Sequence, residues 1–249
     1  MYLTPIEKHK GIFVKRDDSY SIAGVCGGKA RTCYALSKNA KGLITAGSKV
    51  SPQVVIVSAI ATFLGIPCRV HVPSGAFTHE LDTAKENGAE IIQHKPGYNS
   101  VIIKRARDDA TDNPSYTHIP FGMECQEAIT QTKKQVANIP TNIEHKPKRI
   151  VVPVGSAMTL AGILHGLKEY NLDIPVLGIV VGANPIKRLD KYAPKNWEKM
   201  VTLINSDHNY HEKLDNVYLG DVLLDPIYEA KCINYLEPND LFWIVGIRN

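Results

Sequence analysis

Short apolar segments alternate with helical segments of roughly 10 to 15 residues along most of the chain, and this alternation decides the fold class. Residues 12–15, 43–45, 68–72, 90–93, 117–119, 149–154, 175–181 and 241–246 read as strands. Residues 29–39, 53–64, 79–87, 99–110, 123–138 and 158–169 read as helices, with Gly65-Ile66-Pro67 and Gly88 as stops. Strands that recur after a helix run parallel and are joined by right-handed crossovers. An α/β fold with open, mostly parallel sheets flanked by helices is therefore expected. Residues 141–148 read as a surface loop, and 194–216 keep no clear period.

In such folds ligands gather where strand ends lead into helix N-termini. Three glycine-bearing turns fall at such places, around Gly27-Gly28-Lys29, Gly47-Ser48 and Gly155-Ser156. The first suggests a phosphate-binding P-loop, but position 23 is Ala, and Ala30 after Lys29 offers no hydroxyl for magnesium. No G-x-G-x-x-G follows a strand, which disfavours a dinucleotide module. A lysine beside two glycines can instead form an imine with a cofactor aldehyde, the glycines allowing close approach to the backbone. On composition alone Lys29 would pass as an ordinary surface lysine.

The turn Gly155-Ser156-Ala157-Met158-Thr159 follows an apolar strand and opens a helix. Free N–H groups and the helix dipole suit such a turn to a phosphate, although tight turns of this kind also serve purely structural ends. Asp225-Pro226, taken alone, is a helix cap with proline in the first turn. The nine histidines show no spacing that suggests a metal site, so no metal is expected.

Taken together and in this order, Lys15-Arg16-Asp17-Asp18, Lys29, Thr45-Ala46-Gly47, Ser51, Gly155-Ser156, Thr159 and Asp225-Pro226-Ile227-Tyr228-Glu229-Ala230-Lys231 carry a family resemblance. They resemble the fold-type II pyridoxal-phosphate (PLP) enzymes of the tryptophan synthase β group. Within that group they are most similar to the branch of 1-aminocyclopropane-1-carboxylate deaminase and D-cysteine desulfhydrase. The resemblance runs from about residue 12 to about residue 246.

It implies pyridoxal 5'-phosphate as cofactor, with Lys29 as Schiff-base lysine and proton shuttle. The backbone N–H groups of Gly155, Ser156, Ala157, Met158 and Thr159, with the Ser156 and Thr159 hydroxyls, would hold the phosphate. Glu229 would face the pyridine nitrogen, and Tyr228 would act as acid or base near the substrate. Ser51 would take part in catalysis. The substrate's amino-acid portion would form an external aldimine and lose a bond at its α-carbon.

Two departures stand out. The family's Asn after the serine is Pro52, so Gln53 or a backbone group would take over its contact with the cofactor. The third and fourth residues of the phosphate loop are Ala157 and Met158 where the family has glycines. The chain also ends at Gly246-Ile247-Arg248-Asn249, sooner than the family does, which suggests a more open site. In that compactness, and in G-S-x-x-S-P-Q-V at 47–54, I-P-F-G-M-E-C-Q-E-A at 119–128 and L-D-P-I-Y-E-A-K-C at 224–232, it resembles phage-encoded PLP proteins, some of them associated with thymine hypermodification. This implies decarboxylation, or related processing, of an amino-acid-decorated thymine in phage DNA. Deamination, elimination or racemisation of a free small amino acid is the alternative, and a non-catalytic PLP-binding module is a third.

The net charge of +4 permits a DNA partner without demanding one, and the cluster Lys104-Arg105-x-Arg107 near Lys95-Pro96-Gly97 is the basic patch that would meet phosphates. No apolar run approaches the roughly 18–20 residues that cross a bilayer, so no membrane partner is expected. The five cysteines are scattered and form no C-x-x-C pair, and Met1-Tyr2-Leu3-Thr4-Pro5 begins no secretory leader. A cytoplasmic location is expected, the host's if the chain is phage-encoded, and a homodimer as is usual for the fold. Two lobes are expected: residues 1–40 with 116–249 as the large PLP-binding lobe, 41–115 as an inserted small lobe, and the cofactor between them.

Overall fold

The computed structural model describes residues 2–95, 97–143 and 145–246. The chain divides into two compact units, one made of residues up to Tyr20 and from Ala128 onward, the other of Ser21–Glu127. The fold is α/β with parallel sheets flanked by helices, as the alternation of the sequence requires.

The first unit is built on a six-stranded sheet in the order Ile6–His9, Ile12–Arg16, Leu241–Ile244, Ile150–Val154, Val176–Val180, Val201–Asn205. Only the first pair is antiparallel. Strand Ile150–Val154 is buried at every position, because both faces of a parallel sheet are covered. Its side chains alternate. Ile150, Val152 and Val154 join Leu160, Ile163, Leu164 and Trp243 on one face, while Val151 joins Ile179, Leu224, Phe242 and Ile244 on the other. Pro153 has no N–H, and it lies beyond Val151, where pairing with the terminal strand stops.

The second unit holds four parallel strands in the order Glu90–His94, Cys68–Pro73, Leu43–Ala46, Thr117–Ile119. Helices Gly27–Ser37, Pro52–Leu64, His79–Glu86 and Asn99–Asp112 accompany them. Helix Pro52–Leu64 has chemically clear ends. Ser51 caps its first turn, proline occupies N1, and Gly65 at φ 66° takes the left-handed C-terminal position.

Four expectations differ from the structure. The inserted unit is larger than 41–115, because the helix carrying Lys29 packs against Pro52–Leu64 and belongs with it. The helix expected over 123–138 breaks into a turn at Phe121–Met123, a helix Gln126–Gln135 and a turn at Val136–Asn138. Left-handed φ values of 66° at Gly122 and 55° at Met123 interrupt it. Residues 141–148 are not all loop, since helix Ile139–Asn142 enters them. The stretch 194–216 contains the edge strand Val201–Asn205. Residues 247–249, on which the early ending of the chain was read, lie outside the described residues.

Candidate active site

In the first unit, strand Ile150–Val154 delivers the chain through residues 155–157 into helix Met158–Glu169. Ala157 takes the N-cap position with φ 66°, and no side chain caps the helix. The first-turn N–H groups therefore keep their capacity to bind an anion, reinforced by the helix dipole. Ser156 and Thr159 are partly exposed, whereas Ala157 and Met158 are buried, so these two offer a ligand only their backbone. Holding an alanine in the left-handed region costs about 1–2 kcal/mol, a cost that the family's glycine would not incur.

Gly155 has a steric reason to be glycine. A β-carbon there would stand 2.9 Å from Tyr228 Cε1 and 3.3 Å from its Oη. The Tyr228 ring thus lies directly on the turn. Its hydroxyl is 3.3 Å from that of Tyr210, with the rings edge to face at 6.2 Å. Asp225 sets this orientation: its Oδ1 accepts from the N–H groups of Ile227 at 2.9 Å and Tyr228 at 3.0 Å.

Glu229, the next residue, is buried. Its Oε1 accepts from the Val245 N–H at 2.8 Å, while among the described residues its Oε2 has no hydrogen-bond partner. Burial, seconded by the nearby Asp225 charge, raises its pKa well above the ordinary carboxylate value, against the smaller pull of backbone N–H groups. A buried carboxyl with one unmatched oxygen is costly unless a ligand meets it. A ring nitrogen that shares a proton with Oε2 would satisfy it, so this residue fits the role that the resemblance implies.

Lys231, at the end of the same motif, is also buried and donates to the carbonyls of Asn209 at 2.6 Å and Tyr210 at 3.1 Å. It thereby ties the irregular segment around Tyr210 to the turn that carries Tyr228. Tyr210 was not legible as a site residue, because its placement is set by its backbone and by a lysine that reads as the tail of a motif.

In the second unit, Lys29 is the third residue of helix Gly27–Ser37 and is half-buried. Gly27 has φ 89°, a conformation that brings the chain sharply into the helix and that side chains resist. Ser51 Oγ accepts from the Gln53 N–H at 3.3 Å, an N-cap bond. Pro52, in place of the family's Asn, sits where a helix accepts proline best. Gln53 is buried, and its amide is engaged inside the unit. Nε2 donates to Thr45 Oγ1 at 3.0 Å and the Pro120 carbonyl at 2.9 Å, and Oε1 accepts from the Gly122 N–H at 2.9 Å.

The basic patch is partly neutralised. Lys104 pairs with Asp108 at 2.8 Å, and Asp109 receives Arg69 at 3.0 Å and His71 at 2.8 Å. Pro96, in the neighbouring basic stretch, lies outside the described residues. Among the described residues no group of three or more His, Cys, Asp or Glu could hold a metal ion, and no helix is long and apolar enough to cross a membrane.

Residues 2–228 match the family model described as "Pyridoxal-phosphate dependent enzyme". A protein of Pyrococcus horikoshii assigned by name as a 1-aminocyclopropane-1-carboxylate deaminase is 30% identical over 197 residues, 73% of this chain and 59% of its own length. The biosynthetic L-threonine dehydratase of Pasteurella multocida is 25% identical over 175 residues, 68% of this chain and 32% of its own. The aligned part thus spans less than two thirds of either curated relative. Among solved structures, a 1-aminocyclopropane-1-carboxylate deaminase homologue superposes with a TM-score of 0.82 at 24% identity, covering 99% of this chain and 90% of that one. Serine racemase from Dictyostelium discoideum gives 0.71 at 14% identity, covering 99% and 92%. At these identities the likeness shows the fold alone.

Proposed function

Because the chain belongs to the pyridoxal-phosphate dependent enzymes, we propose that it acts on the amino group of an amino-acid substrate and cleaves a bond at the α-carbon. The buried Glu229, whose Oε2 is unmatched among the described residues, is the observation that carries this reading. A non-catalytic binding module has no use for a buried acid placed to tune a ring, whereas an enzyme that draws electrons into that ring does.

When bound, the cofactor supplies an electron sink for the pair left behind at the α-carbon. The rest falls to this chain's residues. Lys29 Nζ would hold the cofactor through its aldehyde carbon and, as free amine, would move the proton at the substrate's α-carbon. The N–H groups at 155–159 and the hydroxyls of Ser156 and Thr159 hold the phosphate. Glu229 keeps a proton on the ring nitrogen, favoured by the burial that makes it a weak acid. Tyr228, with a second phenol 3.3 Å away, donates or takes a proton at the substrate. Ser51 Oγ, which caps helix Pro52–Leu64, would meet the substrate.

Deamination or elimination on a free small amino acid is the reading that the deaminase and dehydratase relatives support. Decarboxylation of an amino-acid-decorated thymine in phage DNA is the second. Its support is the resemblance of the segments 47–54, 119–128 and 224–232 to phage-encoded PLP proteins. Mass spectrometry of products distinguishes the two. Ammonia and a keto acid from free amino acids support the first, and loss of CO₂ from modified DNA supports the second. No change in either substrate, with cofactor bound, would overturn the enzymatic reading.

A further inference from the structure

We propose that Gln53 is a positioning residue for Lys29: its buried amide locks the turn against which the Lys29 helix packs, and so sets the approach of the Lys29 amine to the cofactor aldehyde. The inference rests on Lys29 being the cofactor lysine. Gln53 is 1% exposed and makes three hydrogen bonds through its side chain. Thr45 Oγ1, which receives one of them, donates onward to the Ile119 carbonyl at 2.9 Å. One side chain therefore joins the ends of two neighbouring parallel strands, Leu43–Ala46 and Thr117–Ile119.

The turn that it holds does not favour its own conformation. Gly122 and Met123 are consecutive left-handed residues, and Met123 is buried. For a side chain larger than glycine that region costs about 1–2 kcal/mol, so the turn persists only where its surroundings enforce it. Gln53 Oε1 fixes the Gly122 N–H, and Nε2 fixes the Pro120 carbonyl on the other side of Phe121. Helix Gly27–Ser37 packs against this turn and against helix Pro52–Leu64, which begins at the residue before Gln53. Two of the elements that the Lys29 helix packs against thus meet at one amide.

Capture of the cofactor would require neutral Nζ, the aldehyde C=O being replaced by C=N while the oxygen leaves as water with both amine hydrogens. Such a step is sensitive to placement, a displacement near 1 Å costing on the order of 100-fold. On the proposed reading the phosphate would be held by 155–159, so a Gln53 defect would slow the covalent step without weakening the initial hold.

Stopped-flow absorbance of cofactor-free protein mixed with PLP separates these quantities. Gln53→Glu keeps the shape but removes both donors, and Gln53→Met removes all three bonds. The limiting rate is expected to fall on the order of 10-fold in both, with the half-saturating concentration within about twofold of the parent. Thr45→Val, which removes one of the three Gln53 bonds together with the bond to the Ile119 carbonyl and keeps the branched shape, is expected to fall between, and it carries the test if the Gln53 variants do not fold. Hydrogen exchange at the Gly122 amide in cofactor-free protein should accelerate in Gln53→Met. A limiting rate unchanged in folded Gln53→Met or in Thr45→Val would overturn the proposal. A parent protein that shows no absorbance change, or one that survives in Lys29→Ala, would instead remove the reading beneath it.

Discussion

Substitution of Gly155 by alanine tests how the phosphate turn and Tyr228 are coupled. The added β-carbon would lie 2.9 Å from Tyr228 Cε1. Carbon atoms in contact prefer about 3.5–4.0 Å, so the ring or the turn must retreat by roughly 0.6–1 Å. Overpacking of this kind costs about 1–3 kcal/mol, which lowers the melting temperature by several degrees in a chain of this size. A retreating ring also carries its hydroxyl away from Tyr210, and a shift near 1 Å at a reacting group costs up to about 100-fold in turnover. Gly182→Ala is the control, because its β-carbon would meet Gly155 Cα at an ordinary 3.4 Å. The assay is kcat/KM for an amino acid that the parent protein consumes, measured with thermal melts in parent and Tyr228→Phe backgrounds. Without the Tyr228 hydroxyl, Gly155→Ala should still lower the melting temperature but should cost little further turnover. Equal turnover losses in both backgrounds, or a Gly182→Ala loss as large, would refute the coupling.

Glu229→Gln should flatten the pH dependence of stability in the cofactor-free protein. A raised pKa means that the folded state holds more protons, so stability falls as pH rises above the unfolded value near 4.5, by at most about 1.4 kcal/mol per pH unit. Denaturant melts between pH 5 and 8 that show the same slope in both proteins would contradict the assignment. Lys231→Met should cost about 2–3 kcal/mol and accelerate hydrogen exchange around Asn209 and Tyr210, since two carbonyls lose a charged donor. An exchange pattern unchanged there would show that the segment is held by other contacts. Ser51→Ala should cost about 1 kcal/mol as a lost cap, and a turnover loss no greater than in a similarly destabilised surface variant would remove Ser51 from the site.

The parallel strands were legible because both of their faces are buried. Ile150–Val154 and Leu43–Ala46 are buried throughout, the first an unbroken apolar run and the second apolar but for Thr45. Edge strands lack that signal. Ile6–His9 and Val201–Asn205 mix half-buried, buried and exposed positions, and Val201–Asn205 lies within a stretch read as irregular. The break at Gly122-Met123 was hidden for a different reason: only the glycine advertises a left-handed turn, and the methionine gives no hint. Motif residues such as Glu229 could be named from resemblance, but the condition of Glu229, buried with one oxygen unmatched, depends on backbone groups at Val245 that no spacing reveals. Gln53 shows the converse. Its position beside Pro52 suggested a cofactor contact, and the structure shows an amide bonded to two strand-end turns.

Spectral titration of purified Lys29→Ala with PLP, beside the parent, bears most directly on the central assignment. The parent should develop a visible absorbance band that sodium borohydride bleaches, and peptide mapping should recover the reduced cofactor on the peptide that contains Lys29. In Lys29→Ala the band should be absent. A band that persists in the variant, or label found on any other lysine, would contradict it.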